Sequence, residues 1–233
     1  MNTCSSLTIE KLAKIMDHTL LDPSSTYAMI RNHCSESAKW SFGAVCINPV
    51  HVRLASKVLR NTEVKVCTVI GFPLGSTLTR VKAFETSHAI ADGADEVDMV
   101  INIGALRSRD YDYVRDDIEA VVKAAEGAVV KVIIETGYLT DKEKVKACLI
   151  AKDARAHFVK TSTGYGPSGA SVHDVKLMRQ TVRNEMGVKA AGGIRHFDQA
   201  CRLVKAGANR LGTSRSIRIM EELSSRSRSF KSS

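Results

Sequence analysis

Two lysines in this chain occupy positions where a lysine needs a reason. Lys160 lies in the run HFVKTSTGYG and Lys189 in GVKAAGG, each on a short apolar stretch that passes into Thr, Ser or Gly residues. Burying an ammonium group is costly unless something pairs with it or uses it. A neutral lysine amine attacks carbonyl carbon. The free side chain titrates near 10.4, so lowering that value to about 7 takes roughly 4 to 5 kcal/mol of differential stabilisation. A second ammonium nearby, together with partial burial, acts in that direction. The pair therefore points to carbonyl chemistry with Lys160 as the amine nucleophile and Lys189 as its charged neighbour. Asp98, in EVDMVIN, is the carboxylate suited to relaying protons through water to the intermediates.

Glycines follow the lysine runs. Gly164 and Gly166 come after Lys160, Gly192 and Gly193 after Lys189, and Gly212-Thr213-Ser214 closes a further short run. Glycine permits close backbone approach, and backbone N–H groups near a helix start bind phosphate oxygens. Three such groups suggest a phosphate cradle. The histidines form neither HxH nor HExxH, and the six cysteines contain no CxxC, so a mechanism without metal or cofactor is expected and the thiols are expected to be reduced. Cys46 has no evident histidine partner and reads first as core filler. It is kept with Thr163 as a candidate substrate contact.

The elements that must position these groups alternate in a steady rhythm. Short β-rich runs occur at 14 to 21, 42 to 48, 64 to 72, 96 to 102, 129 to 136, 157 to 163, 188 to 193 and 210 to 214. Between them, helical patterns cover 23 to 38, the stretch opened by Pro49, 79 to 91, 111 to 125, 140 to 154, 172 to 186 and 197 to 206, after a first helix at 7 to 15. Thr140 and Glu143 have the spacing of a capping box. In 79 to 91 the stripe Val81, Phe84, His88 and Ala91 reads as the inward face. This order predicts an α/β (β/α)8 TIM barrel; the alternative, an open doubly wound sheet, lacks its early GxGxxG turn. In a barrel, catalytic groups project from the C-terminal ends of strands. The two-residue period then places Asp17 with Thr19, Cys46 with Asn48, Asp98 with Val100, Lys131 with Ile133 and Glu135, Lys160 with Ser162, and Lys189 with Ala191. Lys131 and Glu135 read as members of a structural ion-pair network.

Residues 1 to 220 form one barrel domain on this reading, and the Ser/Arg-rich segment 221 to 233 is a basic tail expected to be disordered. The formal charge is +9, but aromatics are only 5% of the chain and none is interleaved with basic residues as a base-stacking platform requires, so nucleic acid is not the expected partner. No run of 18 apolar residues occurs, and the first residues lack a secretion signal. A soluble cytoplasmic protein without membrane attachment is expected.

The motifs together resemble the deoxyribose-phosphate aldolase family. The similar segments are MDHTLLDPSST (16 to 26), AVCINPVHV (44 to 52), VIGFPLGSTLTRVKAFE (69 to 85), GADEVDMVINIGAL (93 to 106), VKVIIETGYL (130 to 139), FVKTSTGYG (158 to 166) and VKAAGGIR (188 to 195). The resemblance implies a metal-independent (β/α)8 enzyme that cleaves 2-deoxy-D-ribose 5-phosphate reversibly to acetaldehyde and D-glyceraldehyde 3-phosphate. It implies that Lys160 forms the Schiff base, with Lys189 as the second lysine and Asp98 as the proton relay. Asp17 would engage the lysines or the substrate hydroxyls, and Gly164, Gly192, Gly193 and Ser214 would contact phosphate. A homodimer or higher homo-oligomer is implied as well. Two features depart from the family pattern. Arg215 stands where a second serine is common, where it either strengthens phosphate binding or crowds the cradle and turns to solvent, and the C-terminus lacks the tyrosine that some members carry. An alternative enzyme reading keeps the barrel and cradle but takes another sugar phosphate, such as a keto-sugar phosphate, as other Schiff-base aldolases do; a reading of a different class makes the chain a sugar-phosphate or RNA-binding protein.

Overall fold

Alternating apolar residues on each strand give the sheet two faces, and the chain closes it on itself. In the computed structural model, which describes residues 7–229, the strands are β1 (Met16–Leu20), β2 (Ala44–Ile47), β3 (Lys65–Ile70), β4 (Glu96–Val100), β5 (Val129–Ile133), β6 (Phe158–Lys160), β7 (Gly187–Ala191) and β8 (Arg210–Thr213). They pair in parallel and in sequence order, with β8 returning to β1, as a closed barrel. The expected (β/α)8 architecture is observed.

The helices are α1 (Ile9–Lys14), α2 (Tyr27–Trp40), α3 (Val52–Leu59), α4 (Thr79–Ala91), α5 (Ile103–Arg107), α6 (Tyr111–Ala124), α7 (Asp141–Asp153), α8 (Val172–Val182), α9 (Phe197–Lys205) and α10 (Ser216–Ser229). Caps set their starts. The helix expected from Pro23 begins only at Tyr27, because the Thr26 side chain accepts from Met29 N, and the Thr140–Glu143 capping box forms as anticipated. The short α5 has no apolar period long enough to announce it; Asn102 caps it by accepting from Ala105 N.

Outward-facing strand residues such as Val45, Ile47, Val66, Val97, Met99, Val130, Val132, Val159, Val188 and Leu211 pack with the helices in one large apolar cluster. A small second cluster, Leu21, Ala44, Cys46, Cys67 and Val69, lies at β2 and β3. Cys34, Cys46, Cys67 and Cys148 are free and buried as expected, whereas Cys201 is disulfide-bonded, against the expectation that all thiols are reduced.

Two helices differ from the pattern read in the sequence. In α4 the stripe Val81, Phe84, His88 and Ala91 is exposed, and the buried face is Lys82, Thr86 and Ala89. An ion pair causes the inversion. Lys82 Nζ lies 2.5 Å from Asp117 Oδ2 on α6 and donates to the Val100 carbonyl at 2.9 Å, so a charged residue is the one drawn inward. The tail expected to be disordered from 221 is helical as far as Ser229. Ile219, Met220 and Leu223 form a buried stripe, and Arg226 pairs with Asp198 at 2.6 Å.

Outside the barrel, His18 on β1 stacks on His33 of α2 with ring centroids 3.9 Å apart, and both are buried. The His33 Nε2–H donates to the His18 carbonyl at 3.0 Å. Burial, and then the proximity of His33, lower the His18 pKa from 6.5 to about 3; burial lowers that of His33 to about 4 against the opposing hydrogen bond. As pH falls below 6.5 the unfolded chain takes up protons that the folded pair refuses, so stability present above that pH is lost. Between pH 6.5 and 5 the loss is expected to be about 2 kcal/mol per histidine. Urea denaturation midpoints at pH 7, 6 and 5 measure it, and His33→Gln should roughly halve the slope. A flat profile would mean that the pair does not stay neutral.

Candidate active site

Inward-pointing residues of a (β/α)8 barrel are usually branched apolar side chains; here seven of them carry charge. Asp17 (β1), Glu96 and Asp98 (β4), Lys131 (β5), Lys160 (β6), Lys189 (β7) and Arg210 (β8) meet inside the strands. Asp98 is the centre. Its Oδ1 accepts from Lys131 Nζ at 2.8 Å and from Cys67 Sγ at 3.2 Å, and its Oδ2 accepts from Lys160 Nζ at 2.8 Å and Lys189 Nζ at 2.6 Å. Lys189 also lies 2.5 Å from Asp17 Oδ2, and Lys131 lies 2.6 Å from Glu96 Oε2. Arg210 closes the ring, donating to Asp17 Oδ1 at 2.7 Å and to both oxygens of Glu96 at 3.1 and 3.2 Å.

Burial alone would raise the carboxylate pKa values, yet the cations outweigh it. Asp98 is held well below the carboxylate range by Lys131, Lys160 and Lys189, and Asp17 falls to about 2 beside Lys189, Arg210 and Lys131. The reverse holds for the cations. Burial opposes charge on Lys131, Lys189 and Arg210, but their carboxylate partners raise all three. These three remain cationic across the physiological range. Room for Lys189 comes from β8: a Cβ at Gly212 would lie 3.0 Å from Lys189 Cε. A cation at Cys46, Cys67 and Asp98, which have metal-ligand spacing, would have to displace an ammonium, because Lys131 Nζ already lies 3.3 Å from Cys67 Sγ and 2.8 Å from Asp98.

Above this cluster a cavity of about 650 Å³ opens at the C-terminal ends of the strands. Its lining includes Thr19, Lys160, Thr163, Gly164, Tyr165, Gly192, Gly193, Arg195, Ser214 and Arg215. Of the four clustered cations, Lys160 alone lines the cavity; Lys131 and Lys189 are fully buried. The candidate phosphate residues Gly164, Gly192, Gly193, Ser214 and Arg215 thus gather on one wall with Thr163. The β6–α8 loop lies directly on the end of β7, where a Cβ at Gly169 would come within 2.3 Å of the Gly192 carbonyl oxygen.

Asp17, Asp98, Lys189 and Cys46 are absent from that lining. Asp17, Asp98 and Lys189 reach it through Lys160, whereas Cys46 is fully buried against Cys67, whose hydrogen bond lowers its pKa. Lys131 belongs to the ion-pair network as anticipated, but Glu135 does not, because its backbone turns left-handed at φ 53° and swings the carboxylate away. Glu135 Oε2 accepts instead from the Thr163 backbone N–H at 3.0 Å and from the Thr163 hydroxyl. Thr163 Oγ1 in turn accepts from Tyr165 N at 3.0 Å, and the Tyr165 hydroxyl donates to the Leu21 carbonyl across the mouth at 3.0 Å. Glu96, Arg210, Tyr165 and Arg195 were not among the residues singled out from the sequence. Glu96 shares the parity of Asp98, and Arg195 directly follows the Gly192-Gly193-Ile194 turn, so both carried a readable signal.

Fold and site together place the chain among the (β/α)8 barrel enzymes. Residues 11–215 match the DeoC/LacD family aldolase profile. A deoxyribose-phosphate aldolase of Clostridium perfringens is 58% identical over 213 residues, covering 91% of this chain and 95% of the relative. One from Thermococcus gammatolerans is 59% identical over 214 residues, covering 90% and 95%. Among solved structures, the tetrameric deoxyribose phosphate aldolase of Aeropyrum pernix superposes with a TM-score of 0.88 at 35% identity, covering 94% of this chain and 93% of that one. The chain belongs to the DeoC/LacD aldolase family.

The Glu135 carboxylate is expected to hold the loop of Thr163 and Tyr165. Removing it in Glu135→Ala deletes charge-assisted bonds worth about 1.5 to 3 kcal/mol each, so amide exchange at Thr163 and Tyr165 should accelerate at least about tenfold. Hydrogen exchange resolved by NMR or mass spectrometry gives the answer; unchanged protection would show that the loop stands without Glu135.

Proposed function

We propose that the chain cleaves 2-deoxy-D-ribose 5-phosphate reversibly to acetaldehyde and D-glyceraldehyde 3-phosphate, using Lys160 as the Schiff-base nucleophile. The observation that carries this reading is that one lysine of the buried cluster, and no other, has a face on the cavity. In this reading the phosphate lies among Gly164, Gly192, Gly193 and Ser214, and Arg195 and Arg215, which line the same cavity, are the cations available to it. Thr163, held by Glu135, orders that loop from below.

In the cleavage direction the neutral amine of Lys160 adds to the C1 aldehyde of the open-chain sugar, and the carbinolamine loses water to give an iminium. Asp98, through water, accepts the proton of the C3 hydroxyl as the C2–C3 bond breaks, and the bonding electrons move into the iminium to form an enamine. Glyceraldehyde phosphate leaves. The enamine carbon then takes a proton, and hydrolysis of the resulting iminium frees acetaldehyde and restores Lys160. Lys189, paired with Asp17 and Asp98, stays charged throughout and disfavours a second charge on Lys160.

Incubation with acetaldehyde and borohydride is expected to leave a reduced two-carbon adduct on Lys160, located by peptide mass spectrometry. Lys160→Ala should take no label and have no turnover. Lys189→Leu should lower kcat by about a hundredfold, because Lys160 then keeps its proton. Label on another lysine, or none at saturating aldehyde, would overturn the assignment.

A homo-oligomer, a dimer or larger, belongs to the same proposal, as does action in the cytoplasm. The tetrameric relative supports assembly, and so does the exposed apolar area formed by Leu74, Leu78, Val81 and Phe84, which a second copy would cover. Among the described residues no helix is long and apolar enough to cross a membrane. Phe84→Glu should reduce the sedimentation coefficient toward that of the monomer, and a wild-type chain already sedimenting as a monomer would contradict assembly.

A further inference from the structure

The contact-linked cluster inside the barrel holds four cations, Lys131, Lys160, Lys189 and Arg210, against three carboxylates, Asp17, Glu96 and Asp98. It carries one positive charge too many. The four cations share the carboxylates unequally, and the contacts single out Lys160 as the least paired. Lys131 lies within 2.6 to 3.8 Å of all three carboxylates, and Lys189 and Arg210 each engage two. Lys160 has one carboxylate partner, Asp98, and shares the accepting oxygen with Lys189.

We propose that Lys131 and Glu96, neither of which reaches the cavity, are positioning residues that set this surplus of one and so fix the pH at which Lys160 becomes a free amine. They act through Asp98. Lys131 and Cys67 occupy Oδ1, which leaves Oδ2 to be divided between Lys160 and Lys189. Glu96 in turn holds Lys131 from below and balances Arg210. Burial opposes the charge on Lys131, but Asp98, Glu96 and Asp17 keep it protonated, so it contributes a fixed cation.

The other groups around Lys160 are constant in the comparison that tests this. They are Asp98 from β4, Lys189 from β7, the thiols of Cys46 and Cys67 from β2 and β3, and at the mouth Asp22, Arg195 and Arg215. The Glu135 carboxylate faces the β6–α8 loop and forms no ion pair among the described residues. Asp17 and Arg210 remain paired at the far side.

The inference rests on Lys160 being the nucleophile, and the experiment separates the two claims. The rate of reductive labelling of Lys160 by acetaldehyde and cyanoborohydride is followed against pH by intact mass. Acetaldehyde has no ionisable group, so the acid limb belongs to the protein. Lys131→Met leaves three cations facing three carboxylates, and the limb should move up by about one to two pH units. Glu96→Gln leaves four facing two and should move it down by a similar amount. The double variant Lys131→Met/Glu96→Gln leaves three facing two, the original surplus, and its limb should return to within about half a unit of the wild type. A purely structural role would lower melting temperature in all three variants without this up, down and restored pattern. Coincident limbs in every variant, or a double variant displaced like Lys131→Met alone, would overturn the inference. Should Lys131→Met fail to fold, Glu96→Gln and the double variant still decide it. A wild-type chain that takes no label at Lys160 would instead refute the proposed nucleophile.

Discussion

Asp98 is the hub on which the barrel interior depends. One carboxylate, wholly removed from water, accepts from three lysines and a thiol, and those donors come from β3, β5, β6 and β7. An isolated buried carboxylate would protonate, and isolated buried lysines would lose their protons. Together they fix one another's charge, and the hydrogen bonds tie β4 to four other strands through the barrel interior. Strand pairing holds the wall, and this cluster fills the space that branched apolar layers fill in other barrels.

Such a filling is poor value as a source of stability, since well-packed apolar residues of the same volume are often neutral or better. What it provides is a gradient of pairing among the cations. Lys131 is the most heavily paired, within reach of all three carboxylates; Lys160, at the last residue of β6 and facing the cavity, pairs with one. The short length of β6 matters here. The chain leaves strand geometry directly after Lys160, so the next residues are free to turn over the cavity and be caught by Glu135. The lysine that faces the cavity and the loop that lines it are thereby set by consecutive residues on one segment.

The alternation of residues in the sequence revealed most of this arrangement. VKVII, EVDMV and HFVK each show a two-residue period, which is why the inward placement of Asp98, Lys131 and Lys160 could be read before the barrel was seen. Parity fails where backbone leaves the strand. Glu135 shares the parity of Lys131 but lies two residues past β5 in a left-handed turn, and no periodicity anticipates a positive φ on a glutamate. Parity also cannot reveal which charged residues find partners. In α4 the apolar stripe reads as the inward face and Lys82 is the residue buried, because its compensating Asp117 is 35 residues away on another helix. The last helix was missed for a related reason: its Ser and Arg residues dominate composition, while the few side chains that dock it, Ile219, Met220 and Leu223, are a minority set by spacing.

Glu96 and Arg210 show how far the chemistry extends below the visible site. Both sit at the first residue of their strands, a full layer beneath Lys160, in the part of a barrel ordinarily assigned to stability. Yet Arg210 and Lys131 hold Glu96 from two sides, and Glu96 and Lys189 do the same for Arg210 and Asp17, so no member of the lower layer can change charge without altering a group that touches Asp98. Because these groups are buried, that influence is screened less than it would be at the surface. The boundary of the active site is therefore electrostatic. It lies where the linked charges end, at the bottom of the strands, and not where the cavity stops.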